Sequence, residues 1–216
     1  MHWTRCVMAA AVGLAPCCSL AAQGYASPGR GFGELALTRV SFSGDSSATR
    51  ILPGYGFDVS ATIPAQSPLL VSVGFQLSSH PTTDAPTHLS ALQFYVEPRF
   101  VLLSSGPIIP YVSLHVGLVR WSQDISLIDD TGYDAVVNAV QSGSSIGAGA
   151  GLLIRATPHV RGYVSAGFQK VSVGNISADG APVLSSAASV NNLVIRMGLS
   201  LEFSTIPSQL RAFPSR

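Results

Sequence analysis

From Leu69 onward the odd positions are Leu69, Val71, Val73, Phe75 and Leu77, set against Ser72, Gly74, Gln76 and Ser78. A period of two marks a strand with two unlike faces, because successive side chains point to opposite sides. The pattern returns along the chain. Ile51, Pro53, Tyr55, Phe57, Val59, Ala61 and Ile63 alternate with Gly54, Gly56, Asp58, Ser60 and Thr62. Leu92, Phe94, Val96, Pro98, Phe100 and Leu102 alternate with Ala91, Gln93, Tyr95, Glu97, Arg99 and Val101. Val112, Leu114, Val116 and Leu118 alternate with Tyr111, Ser113, His115 and Gly117. Three later runs, at 145–155, 160–169 and 193–203, behave alike. A helical period never becomes dominant.

The first run, Gly31–Ser43, is the least regular. Leu35 and Leu37 are odd, whereas Val40 and Phe42 are even. The parity slips near Thr38–Arg39, which is either a β-bulge or a sign that the apparent register is false. Pro98 falls inside its run and lacks the ladder N–H, so it predicts a bulge or a local weak point.

Eight strands result, mostly of 10–14 residues. Strands of soluble proteins average about 5–6 residues, whereas a strand tilted through a bilayer needs about 9–11. The connections alternate as well. Those at 64–68, 104–109 and 157–159 are short; those at 44–50, 80–88, 122–144 and 174–189 are longer on average. Such asymmetry fits a barrel with short turns at one end and long loops at the other. With an even strand count, both chain ends fall on the short-turn side.

The N-terminus suits export. Arg5 precedes an apolar run, Val7–Ala15, and Ser19 and Ala21 fit the small-residue spacing of a cleavage site. Residues 1–22 are expected to be a cleaved signal peptide, 23–203 the barrel, and 204–216 a short C-terminal extension. Cys6, Cys17 and Cys18 all lie in the first segment, so the mature chain holds no thiol or disulfide. Leu14-Ala15-Pro16-Cys17 distantly resembles a lipoprotein box, but Pro16 stands where that box wants a small residue.

Composition changes the picture in one respect. Charged residues make up 11% of the 216, against about 25% in ordinary domains, and the net charge is +1. That balance gives no electrostatic footprint for nucleic acid. A solvated outer wall would carry many Lys and Glu, yet Lys170 is the single lysine. The polar face of the strands is mostly Gly, Ser, Gln and Tyr. Its ionisable members are Asp58, Glu97, Arg99, Arg155, Arg161, Arg196 and Glu202. An eight-stranded barrel is filled by side chains, so these charges are expected to pair in a lumenal network. Tyr55, Phe57, Phe75, Phe94, Phe100, Phe168 and Phe203 are candidates for interfacial aromatic girdles.

The last strand reads Leu193-Val194-Ile195-Arg196-Met197-Gly198-Leu199-Ser200-Leu201-Glu202-Phe203. With the signal peptide, the cysteine-free mature chain and the eight runs, it resembles the small outer-membrane β-barrel proteins of Gram-negative bacteria, the OmpA/OmpX-like eight-stranded class. The resemblance implies Sec-type export, insertion into the outer membrane, and an assembly signal at Phe203 read by the barrel-assembly machinery. One departure is plain: 13 residues, Ser204–Arg216, follow that aromatic.

Chemistry is sparse. No nucleophile elbow, P-loop or dinucleotide fingerprint is present. Gly147-Ala148-Gly149-Ala150-Gly151 lies inside a strand pattern and supplies small residues to a crowded lumen. His80, Asp84 and His88 on one predicted loop are the candidates for a weak cation site. With nearby serines they are also candidates for a catalytic set of the lipid A-modifying kind. The segment 122–144 mixes Asp124, Asp129, Asp130 and Asp134 with apolar residues, which suits a contact surface, an ion-binding rim or an extra hairpin.

The expectation is an all-β, eight-stranded, antiparallel up-and-down transmembrane barrel. It is a monomer of the outer membrane, in contact with lipid, with a structural or surface-interaction role and no catalytic residue, cofactor or metal. The alternatives are a narrow pore for small solutes, a lipid A-modifying enzyme, and a soluble lipid-binding barrel.

Overall fold

In a computed structural model of the chain, the alternating runs form paired strands. The structure describes residues 30–43, 51–66, 68–83, 88–103, 105–128, 134–178, 181–184 and 188–204. The expected signal peptide and nearly all of the expected C-terminal extension lie outside them. The strands are β1 (Arg30–Ser43), β2 (Gly54–Gln66), β3 (Leu69–Pro81), β4 (His88–Val101), β5 (Ile108–Ile128), β6 (Asp134–Arg155), β7 (Val160–Val173), β8 (Ile176–Ala178), β9 (Ala181–Leu184) and β10 (Ala188–Ser204).

Eight of these close a ring in the order β1-β2-β3-β4-β5-β6-β7-β10, every neighbour antiparallel, with β10 returning to β1. Closure leaves the ring without an edge. One circuit of the pairing runs Gly33, Ala61, Val73, Val96, Val116, Ile146, Lys170, Asn191 and back to β1 at Ser43. The register therefore climbs ten residues per turn, which requires strands tilted by roughly 35–45°. Beyond the ring, β5 and β6 continue as a paired ribbon to Ile128 and Asp134, and the β8–β9 hairpin joins β6 at Ala139 and Val140. The segment 122–144 is thus largely a hairpin. The turn between β4 and β5 contains Gly106 at φ 105°, a conformation that glycine alone adopts without strain.

The faces are inverted relative to a soluble protein. Leu35, Leu37, Phe94, Leu118, Phe168 and Met197 point outward and are exposed, while Asp58, Ser72, Glu97 and Arg99 point inward and are buried. A soluble lipid-binding barrel needs the reverse. The lumen is layered. At the turn end Phe32, Leu70, Val101, Ile109, Tyr111, Leu153 and Tyr163 form an apolar cluster. At the loop end Leu89, Val119, Trp121, Val171, Val173 and Val190 form a second, with Phe42 and Ile51 packed against it. Charged and amide side chains fill the space between.

These layers explain β1. Its pairing with β10 runs unbroken from Arg30↔Ser204 to Ser43↔Asn191, and its pairing with β2 is equally regular. No bulge occurs at Thr38–Arg39. Leu35 and Leu37 face outward, whereas Val40 and Phe42 turn inward, with Phe42 packed against the loop-end cluster, so both apolar sets share one register. Pro98 likewise inserts no residue: β4 and β5 keep the same register on both sides of it. The pairs expected at Glu97 and Pro98 are missing, which is a local break in the wall.

Candidate functional site

The alternation of β4 aims Tyr95, Glu97 and Arg99 into the lumen, two residues apart. Arg99 is the hub. Its Nε donates to Glu97 at 2.8 Å, and its Nη1 donates to both carboxylate oxygens of Glu34 at 2.8 and 2.7 Å. Arg196 of β10 donates to Glu97 at 2.9 Å and stands 3.5 Å from Asp58. Tyr95 Oη reaches both oxygens of Asp58 at 2.8 Å, and Ser60 donates to Glu34 at 3.0 Å. Aromatic rings complete the shell: Arg99 lies over Tyr111 and Arg196 over Tyr95, at 5.3 and 5.1 Å from the centroids. Such contacts stabilise a guanidinium deprived of water.

An amide layer lies on the loop side. Gln93 contacts His115 at 2.8 Å, Ser145 at 2.6 Å and Gln169 at 3.3 Å. His115 Nδ1 stands 3.5 Å from Glu97. The polar layer thus joins three carboxylates (Glu34, Asp58, Glu97), two guanidiniums and one imidazole.

Small residues make the room. A methyl group at Gly151 would sit 2.5 Å from the Tyr111 ring, and one at Gly74 would sit 2.8 Å from Tyr95 Oη. The glycine-rich stretch 147–151 serves the lumen and holds no phosphate loop. Beside Glu97 and His115 a cavity of about 10 Å³ remains. That is space for about one water, not for a solute.

Of the seven residues expected in a network, the structure brings Asp58, Glu97, Arg99 and Arg196 together. Glu202 and Arg161 form a second group at the turn end, 3.8 Å apart; Arg30 donates to Glu202 at 2.7 Å, and Arg161 lies over Phe32 at 4.2 Å. Arg155 joins neither group and is exposed. It ends β6 directly opposite Arg161, so staying in the lumen would set two like charges face to face. Glu34 belongs to the centre and was not among the expected seven. Its signal was the parity of Leu35 and Leu37, which puts position 34 inside.

The expected loop cluster does not form. His80 lies within β3, fully buried, 2.9 Å from Ser78 and edge-on to Phe42. His88 is exposed on β4, and Asp84 lies outside the described residues. Among the described residues no group of His, Cys, Asp and Glu could hold a metal ion. Of the aromatic candidates, six are exposed on the outer wall. Phe75 is half-buried between Phe57 and Phe94, at centroid distances of 6.5 and 6.3 Å.

No family model matches the chain. No curated protein matches it either. Solved structures do match. Neisserial surface protein A is 19% identical, with 81% of this chain and 96% of that one covered and a TM-score of 0.53. Ail, the attachment invasion locus protein of Yersinia pestis, is 13% identical, with 82% and 100% covered and a TM-score of 0.51. A major outer membrane protein from Thermus thermophilus is 11% identical, with 81% and 99% covered and a TM-score of 0.53. The chain therefore has the fold of the small outer-membrane β-barrels, and its apolar outer wall around a charged lumen suits that barrel to the lipid of an outer membrane.

Proposed function

We propose that this protein is a monomeric, non-conducting, non-enzymatic barrel that anchors its loop end at the surface of the outer membrane. One observation carries the reading. The charged layer is closed toward both ends by apolar clusters, Phe32 to Tyr163 below and Leu89 to Val190 above. The charged groups between them are paired with one another, so an ion crossing such a lumen would shed water without a free partner in that layer, at a cost of several kcal/mol per charge. The polar layer ties the walls together, and the loops carry the contact surface. The names of two structural neighbours, a surface protein and an attachment protein, support a surface role. The test is planar-bilayer recording of the refolded protein. Silence is expected; large, stable conductance steps would replace this reading with the pore.

A further inference from the structure

Three strands that run toward the loop end share one order of residues on their outer face. On β1 it is Leu35, Leu37, Arg39, Ser41; on β5, Val116, Leu118, Arg120, Ser122; on β7, Ala166, Phe168, Lys170, Ser172. Each reads apolar, apolar, one cation, then serine. On β3 the boundary falls at Ser79 after Leu77, without a cation. The change from apolar to serine marks where the lipid-facing belt stops. All three cations sit on that line, outward-facing and exposed.

Their distribution is uneven in two ways. The strands β5, β7 and β1 alternate with β6 and β10 around the ring, so the cations cover one side of the barrel. The other side carries the aromatic row Phe57, Phe75 and Phe94. Charge sign is uneven too. The carboxylates Glu34, Asp58 and Glu97 are in the lumen and Glu202 is at the turn end, so none of these can neutralise the line. Asp124 lies beyond Arg120 toward the loops, where Asn138 donates to it at 2.7 Å. Among the described residues none of the three cations has a carboxylate partner. Arg39 rests near the ring of Tyr55, 5.9 Å from its centroid, which leaves its charge uncompensated. A rim facing only water would tolerate either sign. A row of unpaired cations at the edge of an apolar belt fits an anionic headgroup layer, because long basic side chains lay their stems on the apolar wall and lift the charge to the phosphates.

We propose that Arg39, Arg120 and Lys170 form a binding line for the phosphate groups of anionic lipid in the leaflet at the loop end. The inference rests on the membrane reading above. The test compares thermal unfolding, read as heat-modifiable gel mobility, in phosphatidylcholine vesicles with and without bisphosphorylated lipid A. The wild-type midpoint is expected to rise with lipid A, and the rise to shrink at high salt. The triple variant Arg39→Gln, Arg120→Gln, Lys170→Gln should keep its midpoint in phosphatidylcholine and lose the rise. The charge-keeping variant Arg39→Lys, Arg120→Lys, Lys170→Arg should retain it. A wild-type rise that is absent, insensitive to salt, or matched by inorganic phosphate in solution overturns the proposal. So does an undiminished rise in the glutamine variant. The wild-type arms decide the matter even where that variant fails to insert. Failure of the wild type to insert into phosphatidylcholine would instead count against the membrane reading.

Discussion

Arg196 and Glu97 meet across the full width of the barrel, at 2.9 Å. They stand on β10 and β4, four strands apart in a ring of eight, so the contact joins opposite walls. A pair of this kind does little for stability by mere presence, since both charges gave up water to form it. Its weight appears when one partner is lost.

Glu97→Ala should therefore be costly. It leaves Arg99 with Glu34 alone and Arg196 with Asp58 alone, 3.5 Å away, and each lost hydrogen bond between buried charged groups costs about 1.5–3 kcal/mol. Denaturant unfolding in micelles, followed by tryptophan fluorescence, measures it. Arg155→Ala serves as the contrast: it is exposed, and its change should stay within about 0.5 kcal/mol. Equal losses at the two sites would contradict the placement of both.

Glu34 and Arg99 should be coupled. Each single change breaks the contact: Glu34→Gln leaves Arg99 with Glu97 as its one carboxylate, and Arg99→Met leaves Glu34 with Ser60 as its donor. The double variant removes both, so its loss should fall below the sum by about 0.5–3 kcal/mol. Strict additivity would deny their contact and with it the continuous register of β1.

Leu35 tests the outer wall. It is 60% exposed and pairs with Val59 and Leu199 in the apolar belt. Leu35→Arg should reduce the yield of heat-modifiable, vesicle-inserted protein and cost about 2–4 kcal/mol if it lies near the bilayer midplane. An exposed leucine on a water-facing wall would accept arginine without loss.

Phe203 is exposed on the outer face at the turn end, opposite Gly31. If it is the assembly signal, Phe203→Ala should slow delivery to the outer membrane in cells. Refolding of purified protein into micelles should change little. Equal defects in both settings would make Phe203 an ordinary wall residue.

Most of the wall was legible because lipid enforces a strict rule on one face. The run from Leu89 to Val101 shows it: each even position, from Leu92 to Phe100, turned outward. The lumen follows no such rule. Apolar clusters flank its charged middle, so Val40 and Phe42 looked like a slipped register and concealed Glu34. His80 was hidden for a related reason. It belongs to a strand that continues past its apolar face, and nothing in Ser79-His80-Pro81 signals that the ladder holds. Arg155 failed in the opposite sense. Its parity pointed inward, but the strand ends there and Arg161 already occupies the site across from it.

The seam between β1 and β10 joins residues as far as 174 positions apart, as at Arg30 and Ser204. Nothing on β1 can find its second neighbour until the final strand has been delivered. A sheet in which β1 and β10 have not yet paired has two free edges and an apolar face, the kind of surface that recruits other chains. Loop-closure entropy makes so distant a pairing slow to form unaided. The same closure that leaves the finished wall without an edge thus gives the folding chain its most vulnerable stage, just before β10 meets β1.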